Sequence, residues 1–257
     1  MPARRRSPAC ALLAVTLAGC NLSPLQNRIA VGEDPYVVFV ADGPDGSADI
    51  YAGVPAGGAL SRITFTPVEE SHPALTPSGE MIAFLRHPPP AAMATPRLVV
   101  MNLLNGAERE LESSALAGPV EALTWESDGT AMLMRSAGMT WRIPFPRSRG
   151  APQRLEGAER ARADSALDVI LGRPAFARAM PCDGGGVCVV GPSGTPTQVG
   201  PAGRDPFRWG SDSLAWFEDD RVVVRPLGPG APRLISWQDP PRNMRQGSYA
   251  WSVAAID

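Results

Sequence analysis

Two cysteines, Cys182 and Cys188, flank the segment Asp183-Gly184-Gly185-Gly186-Val187. A glycine loop between strands places two such sulfurs at facing hairpin positions, close enough to bridge if the pair is a non-hydrogen-bonded one. A slipped register leaves two unpaired thiols instead. Two thiolates without further Cys or nearby His fall short of a structural zinc set, so no metal is expected there. The two histidines, His72 and His87, each precede a proline, and the chain has no Gly-x-Ser-x-Gly elbow, so nucleophilic catalysis finds little support. Glu70, Glu121, Asp164 and Asp205 stand near the starts of apolar runs, and two or three carboxylates brought together would suit glycoside hydrolysis. Solvated loop charge is the competing and preferred reading. The stretch Asp42-Gly43-Pro44-Asp45-Gly46-Ser47-Ala48-Asp49 carries carboxylates but lacks the spacing and terminal glutamate of an EF-hand, so it reads as an acidic turn. No catalytic residue and no cofactor is expected.

The elements that must position these residues are repeated. Gly58-Ala59-Leu60-Ser61-Arg62-Ile63 reads like the phrases beginning at Gly106, Gly150, Gly194 and Gly230, at intervals of 36 to 48 residues. That period suits four-stranded propeller blades, each phrase supplying a fourth strand. Thr76-Pro77-Ser78-Gly79, Glu126-Ser127-Asp128-Gly129 and Gly210-Ser211-Asp212-Ser213 are tight turns between first and second strands. Third strands read at Asp49–Tyr51, Arg97–Met101, Trp141–Ile143, Val187–Val190 and Arg221–Val224.

The amino terminus belongs to a different argument. Arg4, Arg5 and Arg6 followed by the apolar run Ala9 to Leu17 read as a signal peptide over 1–19, too short to span a bilayer. Leu17-Ala18-Gly19-Cys20 resembles the lipobox of bacterial lipoproteins, which implies cleavage before Cys20 and acylation of its sulfur and amine. Several acyl chains give stable attachment where one is marginal. An ordinary secretory signal with an incidental cysteine is the alternative. Asn21 in place of an aspartate points to the outer membrane, facing the periplasm. Residues 20–35 read as the lipidated cysteine and a tether. All 24 basic residues are Arg, and the net charge of -2 becomes more negative once three of them leave with the signal. Such a chain has no electrostatic reason to hold nucleic acid or anionic lipid, so membrane contact is expected by the anchor only.

Residues 36–257 resemble the TolB-like propeller repeat, a relative of WD repeats, best at His72 to Phe84 and Ala48 to Thr64 and least at 164–181. The resemblance implies an all-β fold of four-stranded antiparallel blades. Tyr36 to Val40 reads as a second strand with none before it, and Tyr249 to Ser252 as a first strand with none after it. Their union would close the ring and remove its open edge. Spacing gives five blades; six is the alternative if 156–181 hides an irregular unit. Turns joining strands one to two and three to four are expected to be short and uniform. Those joining two to three and successive blades vary, including Arg86 to Thr95, the cysteine hairpin and Glu218-Asp219-Asp220. Variable loops on a rigid scaffold carry binding, so a partner is sought near Glu70, His72, Arg86, His87 and Arg208. Trp125, Trp209 and Trp251 occupy equivalent repeat positions and are assigned to packing. The expected function is that of a monomeric, non-enzymatic protein-interaction module contacting envelope proteins. Carbohydrate or peptidoglycan-fragment binding, and a channel-centred glycosidase, are the alternatives.

Overall fold

A computed structural model describes residues 23–25, 28–89, 95–111, 118–146, 149–173 and 176–250. The signal segment 1–19, Cys20 and Trp251 lie outside them. The strands form five sheets, four of them four-stranded and the fifth, that of blade five, extended at its outer edge by a short fifth strand. Blade one holds β1 (Tyr36–Asp42), β2 (Ala48–Gly53) and β4 (Ser61–Arg62), while the two-residue β3 (Gly58–Ala59) that lies between β2 and β4 in the chain belongs to another sheet. Blade two is β5 (Glu70–Leu75), β6 (Met81–Arg86), β7 (Arg97–Asn102) and β8 (Glu108–Leu111). Blade three is β9 (Val120–Trp125), β10 (Ala131–Ser136), β11 (Met139–Pro144) and β12 (Gln153–Arg154). After helix α1 (Gly157–Leu167), blade four is β13 (Ile170–Arg173), β14 (Phe176–Pro181), β15 (Val187–Val190) and β16 (Pro196–Gly200). Blade five is β17 (Arg204–Trp209), β18 (Ser213–Glu218), β19 (Arg221–Pro226) and β20 (Arg233–Gln238). The last strand, β21 (Arg245–Ala250), is the inner strand of blade one.

The five-bladed, all-β architecture is therefore the expected one, and its closure is also as expected. β21 pairs antiparallel with β1, Tyr36 opposite Ala250 and Val37 opposite Tyr249. A second seam lies at the outside, where β3 pairs in parallel with β20 through Trp237 and Gly58. Trp237 donates its indole N–H to the Val54 carbonyl at 3.0 Å, and a Cβ on Gly53 would stand 2.5 Å from that indole nitrogen, so glycine is what lets the ring lie there. Because each blade is covered on both faces, the middle strands are apolar throughout instead of alternating: Val37 to Ala41 are all buried. Phe39 packs among Tyr51, Phe217 and Trp237 across the seam, with ring centroids 5.4 to 6.1 Å apart. Trp125, buried, donates to the Ala74 carbonyl of the preceding blade at 3.0 Å, and Trp209 stacks on Tyr249 at 4.2 Å.

Two features depart from the sequence reading. The described residues of 156–181 hold no sixth unit; they form helix α1 and the start of blade four. Alanines at 158, 161, 163 and 166 favour a helix, and Ala163 and Leu167 pack beside Leu133 and Leu155 of blade three. The segment read as a tether is also docked where it is described. Leu25 and Ile29 are buried in the core between blades one and two. Ser23 donates to the Leu103 carbonyl at 2.7 Å, and Arg28 to the Leu60 carbonyl at 3.1 Å.

The ring has two rims. The lower rim carries the turns joining strands one to two and three to four; the upper rim carries the loops joining two to three and the blade connections. The expected difference in loop length holds only in part, since Ala137-Gly138 and Asp219-Asp220 are two-residue turns on the upper rim.

Candidate functional site

The upper-rim end of each inner strand is irregular. Register slips between Ser71 and Ala74 in β5, between Arg135 and Ser136 opposite β9, between Arg204 and Phe207 in β17, and between Val38 and Val40 opposite β21. A bulge re-aims the extra side chain and bends the strand. The residues so displaced are His72, Glu121, Asp205 and Gln246. Three of them stand in the left-handed region, His72 at φ 54, Asp205 at φ 47 and Gln246 at φ 51, a conformation that costs non-glycine residues on the order of 1 kcal/mol each.

At β5 the bulge assembles a chain of three polar side chains. Ser71 Oγ lies 2.7 Å from His87 Nε2 and 2.9 Å from His72 Nδ1. One hydroxyl proton cannot serve two acceptors, so at least one imidazole donates to Ser71, and the tautomers of the two rings are coupled through it. Burial lowers the His72 pKa to about 4, helped by its neighbour His87. Burial also lowers that of His87, against the pull of Glu69. Both rings are neutral near pH 7. The His72 backbone N–H is held by Gln246 Oε1 at 2.8 Å, which ties the bulge of blade two to that of the closing strand.

Beside this chain lies an ion network. Glu70, its side chain fully buried, accepts from Arg86 Nε at 3.0 Å and from Thr66 Oγ1 at 3.0 Å. Arg86 then grips Glu108 with both terminal nitrogens, at 2.7 and 3.0 Å, and lies over the Phe84 ring. Desolvation nonetheless raises the Glu70 pKa, outweighing the cation and hydroxyls that oppose it. Its Oε2 has no hydrogen-bond partner. The loop expected to begin at Arg86 is thus anchored at its root; residues 90–94 of it lie outside the described residues.

His87 opens onto a groove of about 470 Å³ between blades one and two, walled by Pro67, Pro88, Pro89 and Val68 and edged by Asp45 and Glu69. Phe65, in the same blade connection, is 68% exposed, with the Arg62 guanidinium over its ring at 4.9 Å. The carboxylates of the Asp42–Asp49 loop are all engaged. Buried Asp49 pairs with Arg62 at 2.5 Å, Asp45 accepts from the Ser47 hydroxyl, and Asp42 accepts from Asn243 at 2.6 Å. This agrees with its reading as an acidic turn. Among the described residues, no group of three or more His, Cys, Asp or Glu is placed to hold a metal.

The four carboxylates considered for glycoside chemistry do not converge as a set. Glu121 and Asp205 line the channel mouth, a cavity of about 440 Å³ shared with His72 and Gln246. Glu70 is sealed under Arg86. Asp164, on α1, accepts from Thr140 Oγ1 at 2.6 Å and faces Arg135 and Arg160. Arg135 also pairs with Asp168 at 2.7 Å and approaches Glu121 at 3.6 Å, so the helix and its C-terminal cap supply two of its three carboxylates. Arg208, expected near His72, is not brought there: it lies toward the lower-rim end of β17, exposed, donating to the Gly210 carbonyl at 3.0 Å.

Cys182 and Cys188 form a disulfide, Cα to Cα 5.2 Å. They are diagonal positions, not facing ones, because Cys188 stands opposite Met180 in the ladder. The Cys182 N–H bonds to the Gly186 carbonyl at 3.0 Å, closing the turn that the bridge then locks.

No protein-family model matches the chain, and no curated protein matches it. Among solved structures it is similar to TolB from Acinetobacter baumannii, with TM-score 0.43 and 13% identity over 84% of this chain and 66% of that one. It is also similar to a protein described as TolB from Agrobacterium tumefaciens, with TM-score 0.38 and 15% identity over 83% and 70%. A third is the AtxE2 isopeptidase in its apo form, with TM-score 0.37 and 12% identity over 83% and 47%. The chain spans just under two thirds of the first of these and less than half of the third. Likeness at this level carries no argument about activity, and the propeller assignment rests on the strand pairing.

Proposed function

We propose that this chain is a lipid-anchored protein of the bacterial envelope that works as a single-copy interaction module. Its lower rim is turned to the membrane, and its upper rim is offered to a partner protein. The observation that carries this reading is the place where the amino-terminal segment docks. Ser23 is bonded to Leu103 in a lower-rim turn, and Cys20 lies three residues upstream, a reach of at most about 11 Å even when fully extended. Acyl chains on Cys20 would hold that rim close to the bilayer, leaving the groove and the channel mouth pointing away. Among the described residues no helix is long and apolar enough to cross a membrane, so the anchor is the attachment this reading relies on.

The groove between blades one and two suits an extended segment of another protein. Pro67, Pro88 and Pro89 give it rigid apolar walls, and the Glu70–Arg86 pair anchors the chain on either side, next to Glu69 and His87 of its lining. Pre-formed walls reduce the ordering cost of binding. Asp45 and Glu69 at its edge favour a basic residue in the segment. Two experiments test this. Metabolic labelling with an alkyne fatty acid should mark the chain and fail on Cys20→Ser. Selection of displayed peptides on the protein should enrich apolar segments carrying Arg or Lys, and Glu69→Lys should abolish the enrichment. Unlabelled protein, or enrichment indifferent to Glu69→Lys, would refute the anchor or the groove respectively.

A further inference from the structure

The channel mouth contains charges of both signs that the chain leaves unused. Arg135 is more than compensated by Glu121, Asp164 and Asp168, so the surplus charge around it is negative. Asp205 and Arg178, which line the same 440 Å³ cavity, are not neutralised. Asp205 has no hydrogen bond or ion pair among the described residues, and Arg178 donates only to the thioether of Met180, at 3.5 Å. The two form no ion pair with each other. Asp205 is held there by the bulge of β17 at φ 47, where a glycine would sit with less strain but would place no carboxylate in the mouth.

We propose that the channel mouth binds a small zwitterion, an amino acid or a short peptide with free ends, its ammonium on Asp205 and its carboxylate on Arg178. A simple cation or anion would satisfy one of these groups and leave the other unmatched, whereas a zwitterion matches both. The cavity volume is in the range of small-ligand sites. Gln246 adds a free amide donor, since its oxygen already holds the His72 N–H. The His72 ring, neutral near pH 7 because it is buried, adds no second cation to compete for the carboxylate. The site is distinct from the groove at His87, so it stands or falls independently of the partner reading.

The test is titration of the 15N-labelled full chain with L-alanyl-L-alanine, with its N-acetyl form and with its C-terminal amide, followed at the backbone amides of Gln246 and Gly247. The free dipeptide should shift these resonances, and each blocked form should bind about ten-fold more weakly. Asp205→Asn should weaken the free dipeptide about ten-fold and lose discrimination against the N-acetyl form while keeping it against the amide. Arg178→Gln should show the reverse pattern. Asn tolerates the left-handed conformation at 205. Should that variant nevertheless misfold, exposed Arg178→Gln and the blocked dipeptides carry the decision. No shift at millimolar dipeptide, equal binding of the blocked forms, or variants that keep full discrimination would overturn the proposal.

Discussion

The two rims of this ring are made from the same repeats, yet they satisfy their polar groups in opposite ways. On the lower rim the side chains of the turns after the inner strands of blades two and three bond within their own turns. Thr76 Oγ1 bonds to both backbone groups of Met81 at 3.1 and 3.2 Å, and Asp128 takes the Thr130 N–H and hydroxyl two residues on, at 2.9 Å. On the upper rim the partners come from afar. His72 is held by Gln246, the chain's own far end, and Glu70 by Arg86 and through it Glu108. There the accounts do not close, since Glu70 Oε2, Asp205 and Arg178 are left over. A turn that satisfies itself needs nothing else, whereas a rim held together by distant groups with valences to spare is where a ligand gains something by arriving.

The largest way to break that comparison is at the buried pair. Arg86→Met strands Glu70 as an uncompensated buried acid and should cost about 3 kcal/mol in urea unfolding. Thr76→Ala on the lower rim should cost about 1 kcal/mol. Equal effects would mean that the upper-rim network is not the stronger constraint. Next in size is the hairpin bridge: the Cys182→Ser, Cys188→Ser double variant should lose about 2 kcal/mol, as expected for freeing a short loop in the unfolded chain.

The pH dependence follows from His72. Its pKa falls from 6.5 in the unfolded chain to about 4 in the fold, so its contribution is fully present above 6.5 and is lost as pH falls toward 4. The loss should be on the order of 2 kcal/mol. Glu70 acts in the other direction: burial raises its pKa, so its contribution is present at low pH and lost as pH rises through the raised value. The net profile mixes the two. The sharper measurement is the difference between wild type and His72→Asn, which should shrink steadily as pH drops from 7 to 4. The smallest stability effect should be Phe65→Ala, within about 0.5 kcal/mol because the ring is exposed, while peptide enrichment at the groove falls.

The comparison also explains what could be read from the sequence. The lower rim was legible because self-contained turns have local signatures: Pro-Ser-Gly and Ser-Asp-Gly state their geometry within four residues. The blade count and the closure followed from the same locality. Helix α1 was missed because its signal is alanine propensity without an apolar stripe, and only Ala163 of it is buried among the described helix residues. Loop position pointed to Glu70, His72, Arg86 and His87 as one face, and the structure has them as neighbours on the upper rim. Their wiring was invisible, since Ser71, which joins the two imidazoles, looks like any loop serine. Nothing local announces that His72, Asp205 and Gln246 occupy a conformation usually left to glycine. Arg208 was misplaced for a simple reason: a strand has two ends, and a six-residue first strand carries its fifth residue to the opposite rim.

The most direct test of the two-rim account is site-specific photo-crosslinking in the producing cell, with a benzophenone residue at Val68 in the groove or at Leu104, exposed on the lower rim beside the Ser23 contact. The account predicts one discrete protein adduct from Val68, lost when Glu69→Lys is added, and lipid rather than protein adducts from Leu104. The same protein adduct from Leu104, or a Val68 adduct indifferent to Glu69→Lys, would contradict it.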